Sequence, residues 1–402
     1  MKLFGRRAGR VEARPVISRV AGSGAAWPSS YEAQVREGYL GNAVAQRAVR
    51  LVAEAVGSAP VVASDLALAA LVAARSGGQG LIETVAAQML LHGNAFVQVI
   101  ADGEGAVREL FALRPERVSA ETDAQGWPAA YRYRVGERVV RLAACDCGEA
   151  GSGARGEVIH LKAFHPLDDH YGLGCLGAAA AIAVHNAAAR WHKALLDNAA
   201  RPSGALVYDP GDGSTLTPEQ YARLREEMEA GFAGAANAGR PMLLEGGLKW
   251  QALSLSPADM DFVGTKAAAA REIALAFGVP PMLLGLPGDA TYANYREANG
   301  ALWRLAVLPL AETILTGLAQ GVSGWFAGAR LTVDFDRVPA LAEDRERLWA
   351  AVSAADFLDR DEKRAMLGVG AVLRDASLRL PAETGAQDRL RLRSAAPQDS
   401  GS

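Results

Sequence analysis

The chain has 402 residues, with 42 Lys and Arg against 45 Asp and Glu and a formal charge of −3. That near-balance excludes the bulk positive field that drives tight nucleic-acid binding. The sequence has no unbroken apolar run of about 18 residues, so no membrane span is expected. Met1–Arg7 is charged and lacks the apolar stretch of a secretory leader. Three cysteines, Cys145, Cys147 and Cys175, cannot build a disulfide framework and fit a reducing compartment. The apolar half of the chain is dominated by small residues, with about 80 alanines, which suit close helix packing. An Ala-rich enzyme and an assembly of closely packed helices both fit this composition.

Residues 1–30 lack periodicity and read as a mobile arm. Val44, Ala48, Val52 and Val56 recur every four residues, predicting a helix over Tyr39–Val56 closed by Gly57. Val61-Val62 reads as a short strand. Leu81–His92 is a second helix, stopped by Gly93-Asn94, and Ala95–Ile100 is a strand. Glu109–Leu161 is β in character: Tyr131–Val135 alternates, Val139-Val140 follows, and Glu157–Phe164 closes the region after a glycine-rich loop over Cys145–Gly156.

Gly174–Ala200 is the segment densest in alanine and is expected to form one helix about 40 Å long. A short strand follows at Ala205–Tyr208. Thr217-Pro218-Glu219-Gln220 is a capping box that opens a helix to Phe232, with Leu216 and Tyr221 as its staple. Met242–Leu244 and Trp250–Leu255 are expected to pair around Glu245-Gly246-Gly247. Ser256-Pro257-Ala258-Asp259 opens a helix that ends at Gly278, before a turn-rich loop. Asn294-Tyr295-Arg296-Glu297 reads as a capping box that starts a long helix interrupted by Gly300 and Pro309, with a kink near Pro309. Leu331, Val333 and Phe335 alternate as one half-buried strand. Leu341–Ala355 and Asp359–Leu367 are two amphipathic helices, and the polar tail begins near Ala382.

Several motifs invite a chemical reading. Gly172-Leu173-Gly174-Cys175-Leu176-Gly177 has the G-x-G-x-x-G form, opens a helix, and is followed by Asp197 and Asp209. Dinucleotide binding would use such glycines, although seven residues separate them from the preceding strand where that fold needs a tight turn. Gly151–Gly156 has the same form but precedes a strand. His165-Pro166-Leu167-Asp168-Asp169-His170 concentrates metal-ligand types, and a metal hydrolase would use His165, Asp168, Asp169 and His170. Cys145-Asp146-Cys147 lacks the C-x-x-C spacing. His185 and His192 share one helix face, as packing or surface residues would. The sequence contains neither a Walker A motif nor G-x-S-x-G.

Read together, several segments resemble the portal proteins of tailed bacteriophages, in the compact form of many long-tailed phages and phage-like gene transfer agents. They are Asn42-Ala43-Val44 through Val56 with Pro60-Val61-Val62; Met89–Phe96; Val158–Lys162; Tyr171–Gly174; Phe277–Gly285 with Tyr292-Ala293-Asn294; and Phe357–Arg364. The order and spacing of these strings, over about residues 35–370, carry the resemblance.

The resemblance implies an α+β portal fold assembled as a ring of twelve. It divides the chain into a flexible arm (1–30), an α/β wing (31–173), a stem helix (174–200), a clip (201–256), a second stem helix (257–278), a tunnel loop (279–293), a kinked wing helix with a strand (294–337), crown helices (338–380) and a disordered tail (381–402). Val279, Pro280, Pro281, Leu283, Leu284, Leu286 and Asp289 would face DNA. Thr217, Glu219, Arg223, Glu226, Glu245 and Lys249 would lie on the clip, which contacts the large terminase subunit and then the head–tail adaptor. The ring would sit at one capsid vertex against the major capsid protein, with double-stranded DNA passing through it. No cofactor, no metal, no membrane contact and no enzymatic activity are implied. Twelve helices about 10 Å across would enclose a bore of roughly 28 Å, wide enough for a duplex about 20 Å thick. Leu284–Asp289 carries no cation, as a non-sticky conduit would require. The dinucleotide-binding oxidoreductase on Gly172–Gly177 and the metal hydrolase are the competing readings.

Overall fold

The computed structural model describes residues 28, 30–76, 78–145, 155–178, 180–197, 204–209, 211, 216–232, 247–252, 261–286 and 291–368. Helix α1 (Tyr31–Val35) runs into a π-turn at Arg36–Leu40. Asn42 breaks the helix in an extended conformation and caps α2 (Ala43–Gly57) by accepting the Ala45 N–H. Ala48, Val52 and Val56 are buried, as their spacing predicts. Strand β1 (Val61–Ala63) precedes α3 (Leu66–Ala73), a helix the sequence did not announce because nearly every residue in it is apolar. A small ribbon, β2 (Arg75–Ser76) and β3 (Gln79–Gly80), leads to α4 (Leu81–His92). Gly93 ends α4 at φ +75, the left-handed conformation glycine adopts without strain.

Five strands follow: β4 (Asn94–Ala101), β5 (Val107–Leu113), β6 (Val118–Thr122), β7 (Pro128–Val135) and β8 (Arg138–Ala143), with β9 (Val158–Lys162) after a long connection. All pair antiparallel in two three-stranded sheets, ordered β5-β4-β9 and β6-β7-β8. The predicted 174–200 helix is two pieces, α5 (Cys175–Ala178) and α6 (Ala181–Asp197). Then come β10 (Gly204–Tyr208), α7 (Pro218–Phe232) and β11 (Leu248–Ala252). β11 pairs with β10, and Met242–Leu244, its expected partner, lies outside the described residues.

Helix α8 (Phe262–Ala276) starts later than expected. Asp261 caps it from φ 39, accepting the Gly264 N–H, and Ser256–Asp259 lies outside the described residues. Helix α9 (Tyr292–Leu302) is capped by Thr291, whose hydroxyl accepts the Asn294 N–H, so Asn294 is inside the helix and not its cap. A π-turn at Trp303–Val307 absorbs the irregularity expected at Pro309, which falls in the first turn of α10 (Leu308–Gly321). β12 (Leu331–Val333) is shorter than predicted. Asp334 turns the chain into a 3-10 turn at Phe335–Arg337, and β12 pairs with β1. The chain's last described helices are α11 (Ala342–Ala354) and α12 (Arg360–Met366), the latter with a full Asp359/Glu362 capping box.

The stretch Ala293–Gly321 is long and apolar enough to cross a membrane by length and composition. In the structure it is the central helix of the core: Leu302, Val307, Ile314, Leu315 and Leu318 are buried. α10 can lie against the β4–β9 sheet because Gly317 and Gly321 face it. A Cβ on either would fall 2.1 Å from Leu161 Cδ2 or 2.4 Å from Ile159 Cγ1. A second, smaller core of Phe96, Leu113, Val118, Tyr131, Leu142 and Val158 joins the two sheets.

Candidate functional site

The feature that organises the molecule is the junction where the sheet hands the chain to the Ala-rich helices. Asn94, 1% exposed, is the first residue of β4. Its Oδ1 accepts the Gly172 N–H at 2.7 Å, and its Nδ2 donates to Gly172 O at 3.0 Å and His92 O at 3.1 Å. These backbone partners fix the orientation of the amide. His160 Nε2, 3.0 Å from the same Oδ1, is therefore the protonated nitrogen, and Nδ1 accepts from the Tyr131 hydroxyl at 3.1 Å. Burial, with smaller contributions from Lys162 and His92, pushes the His160 pKa down to about 3. The neutral ring stacks on Phe96 with centroids 4.2 Å apart.

A second set of polar side chains ties α6 to the N-terminal helices. Asn42 Nδ2 donates to Asn186 Oδ1 at 2.8 Å and lies 3.0 Å from His185 Nδ1. Asn186 Nδ2 donates to Glu37 O, and Arg190 pairs with the Glu37 carboxylate at 3.3 Å. Burial, and then Lys266, lowers the His185 pKa. α6 also packs along α8, burying Ile182 and Ala188 on one side and Ala269, Ala270, Ile273 and Ala274 on the other. The outward side of α6 keeps Val184 at 48% exposure and Ala187 exposed.

The candidate channel residues divide. Val279 is 2% exposed, and its N–H donates to Ala274 O at 2.9 Å. Its side chain is inside the subunit core and cannot face a channel, which corrects the expectation for this residue. Pro280 and Pro281 lead into a 3-10 turn, Pro281–Leu284, that presses Leu283 and Leu284 partly onto the same core. Gly285, at φ +73, releases the chain, and Leu286 is half-buried. This stretch anchors a loop whose farther part, including Asp289, lies outside the described residues.

The candidate clip residues cluster on α7 and on the β10–β11 ribbon. Thr217 and Gln220 form the predicted box: Gln220 N–H donates to Thr217 Oγ1 at 3.3 Å and Thr217 N–H to Gln220 Oε1 at 3.0 Å. Glu219 and Glu226 are exposed, and Arg223 pairs with Glu227 one turn on. Lys249 bridges the ribbon to Asp209 at 3.1 Å, which lowers the Asp209 pKa. Glu245 lies outside the described residues. Tyr221 is 61% exposed, and of the described side chains on α7 only Leu224 is half-buried.

The competing motifs are accounted for structurally. A Cβ on Gly172 would lie 2.1 Å from Gly93 O, and one on Gly174 would lie 2.6 Å from Leu91 O. The helix turn at residues 91–93 fills the space a phosphate would need, so these glycines do not form a nucleotide cradle. In the His165–His170 loop, Asp168 Oδ1 accepts the N–H groups of His170 and Tyr171, and His165 Nδ1 accepts that of Leu167. Among the described residues no group of three or more His, Cys, Asp or Glu is placed to hold a metal. The role of Asn94 and Asn42 escaped the sequence reading. Gly93-Asn94 looked like a helix stop, and only the Asn after glycine hinted at more.

A family model described as phage portal protein matches residues 43–368. The chain belongs to the phage portal protein family. It is 39% identical over 360 residues to an uncharacterized protein of Rickettsia felis, covering 84% of this chain and 89% of that one. It is 29% identical over 301 residues to a probable portal protein of Streptomyces phage phiC31, covering 73% of this chain and 64% of that one. Among solved structures it is similar to a chain from the neck of a native gene transfer agent particle computed with C12 symmetry. The identity there is 50%, the TM-score 0.63, and the coverage 86% of this chain and 95% of that one. A portal protein of the HK97 family from Corynebacterium diphtheriae shares the fold at 18% identity and TM-score 0.56, covering 78% and 99%. The portal fold thus gives the mixed helix and strand architecture its name.

Proposed function

We propose that this chain is the portal subunit of a phage or phage-like gene transfer agent particle. Twelve copies form a ring at one capsid vertex, through which double-stranded DNA enters during packaging and leaves during delivery. The observation that carries this reading is the 50% identity, covering 86% of this chain and 95% of the other, to a chain from a particle neck with C12 symmetry. In this reading α6 and α8 form the stem, residues 201–256 the clip, 279–293 the tunnel loop and 338–380 the crown. The clip faces the large terminase subunit and then the head–tail adaptor, and the wing meets the major capsid protein. The subunit acts as a conduit and carries no catalytic step of its own. The exposure of α7 supports the clip assignment, since a helix that buries little within its own subunit is available to a partner.

Native mass measurement of the purified chain, with negative-stain imaging, tests the proposal. A ring of about twelve times 42.1 kDa is expected. A monomer or dimer that NAD stabilises against heat would overturn it.

A further inference from the structure

The segment from Ala163 to Gly172 is a loop whose ends touch. The backbone N and O of Ala163 would lie 2.6 and 2.7 Å from a Cβ on Gly172. Both ends are pinned to the same turn, Ala163 N–H donating to Gly93 O at 2.8 Å and Gly172 N–H to Asn94 Oδ1 at 2.7 Å. Several of its polar groups serve the loop itself, while the Tyr171 hydroxyl accepts the Ala120 N–H outside it. Asp168 and His165 accept backbone N–H groups within it, and Lys162 Nζ donates to Asp169 O at 2.5 Å. A loop shaped so thoroughly by its own side chains nonetheless holds two large apolar groups in water: Phe164 is 85% exposed and Leu167 91%. Leu173, 43% exposed, follows directly and lies over Gly177 in α5, with Cδ1 3.0 Å from the position of a Cβ there. The exposed apolar surface therefore passes from the loop onto the start of the stem. Compact loops with closed ends are frequent carriers of function, and aromatic side chains are enriched at the buried centres of interfaces.

We infer that this loop is a knob by which one copy of the chain grips the next, Phe164 and Leu167 seating on the outward face of the neighbour's α8. The inference rests on the ring reading above. A ring built from head-to-tail contacts needs two different, complementary surfaces on every subunit. α8 offers the complement: Leu275 is 79% exposed, and Arg271 stands one turn before it on the same face to meet the acidic Asp168-Asp169 edge of the knob. The knob is continuous with the stem, the part of the subunit that ring closure brings against a second copy.

The test uses the full-length chain and its Phe164→Ser/Leu167→Ser variant, followed by native mass measurement across a dilution series. The wild type is expected as a ring. The variant is expected to need at least about tenfold more protein to form one, with unchanged far-ultraviolet circular dichroism. If the variant misfolds, benzoylphenylalanine incorporated at Leu167 of the otherwise native chain decides: photocrosslinking into a second copy supports the knob, and crosslinks confined to the same subunit overturn it. A variant that forms rings at wild-type concentrations overturns this inference alone. A wild-type chain that stays a subunit at every concentration overturns the ring reading and the knob with it.

Discussion

Asn94 and Gly172, 78 residues apart, hold each other by two hydrogen bonds: Gly172 N–H to Asn94 Oδ1 at 2.7 Å and Asn94 Nδ2 to Gly172 O at 3.0 Å. One side chain thus imitates a strand neighbour for an irregular piece of backbone. The path into α5 and α6 is set by this contact, because the glycines at 93, 172 and 174 leave no room for another arrangement. Tyr171 strengthens it by accepting the Ala120 N–H at 2.8 Å, which ties the second sheet to the same joint.

Replacing Asn94 by Ala would leave the Gly172 N–H and the His160 Nε2–H without their partner. A buried group left unpaired costs about 1–3 kcal/mol. The Asn94→Ala subunit should therefore unfold at clearly lower urea concentration than wild type. An unchanged midpoint would show that the joint tolerates water.

The three glycines of the 172–177 motif should behave differently. Gly172→Ala and Gly174→Ala press a methyl into backbone oxygens, which cannot move aside, and should abolish the soluble folded subunit. Gly177→Ala meets only the end of the Leu173 side chain at 3.0 Å and should be tolerated. Expression and melting temperature of the three variants check this. Equal damage at all three positions would contradict the packing explanation.

His160 makes stability depend on pH with a definite sign. Its pKa is about 3 when folded and about 6.5 when unfolded. Above about 6.5 both states are neutral at this ring. Below that, only the unfolded chain takes the proton, so stability falls by about 1.4 kcal/mol per pH unit on acidification. His92, also lowered by burial, adds in the same direction. Denaturation at pH 5 and 7.5 should show the loss in wild type and a smaller one in His160→Gln. Identical pH profiles would remove His160 as the cause.

Ion pairs fasten α11 to the long helix. Arg296 meets Glu343 and Arg304 meets Asp344, each at 2.5 Å, and Arg347 lies within reach of both acids. These side chains are about half exposed or more, so each pair is worth less than about 1 kcal/mol and is screened by salt. Val352 is the one buried residue of α11, so little apolar contact supplements the charges. Hydrogen exchange over residues 342–354 should accelerate at about 0.5 M salt. The double variant Glu343→Gln/Asp344→Asn should mimic that effect at low salt.

The channel reading makes Leu286 the informative residue of its loop, since Val279 is enclosed and Leu283 and Leu284 lean on the core. A lysine there would add a phosphate contact to every copy in the ring. Leu286→Lys particles should contain less DNA than wild type, measured as nuclease-protected DNA per particle. Equal packaging and delivery would argue against close passage of DNA.

The elements readable in advance were those with local punctuation. Gly93 in its left-handed conformation gave α4 its stop, and Asp359 with Glu362 gave α12 its start. α3 was invisible because Leu66–Ala73 has no polar face to set a period. The pairing of β11 with Gly204–Tyr208 was not foreseen, because the partner is separated from it in sequence by α7. Thr291, not Asn294, caps α9 because both can cap and only the fold decides which turn is first. The order of family-like strings marked the family whose model matches residues 43–368. Asn94 and Asn42 were hidden, since a buried amide is recognised only by what surrounds it.

The β10–β11 ribbon brings the outgoing and returning chain side by side, with Gly204 opposite Ala252 and Tyr208 opposite Leu248. Whatever lies between them hangs from a fixed two-stranded neck. Loop-closure entropy grows only slowly with length, so that appendage can lengthen, shorten or be exchanged at small cost to the rest of the subunit. The ribbon therefore acts as a socket. Lineages can refit what the ribbon carries while the bundle and sheets behind it stay as they are.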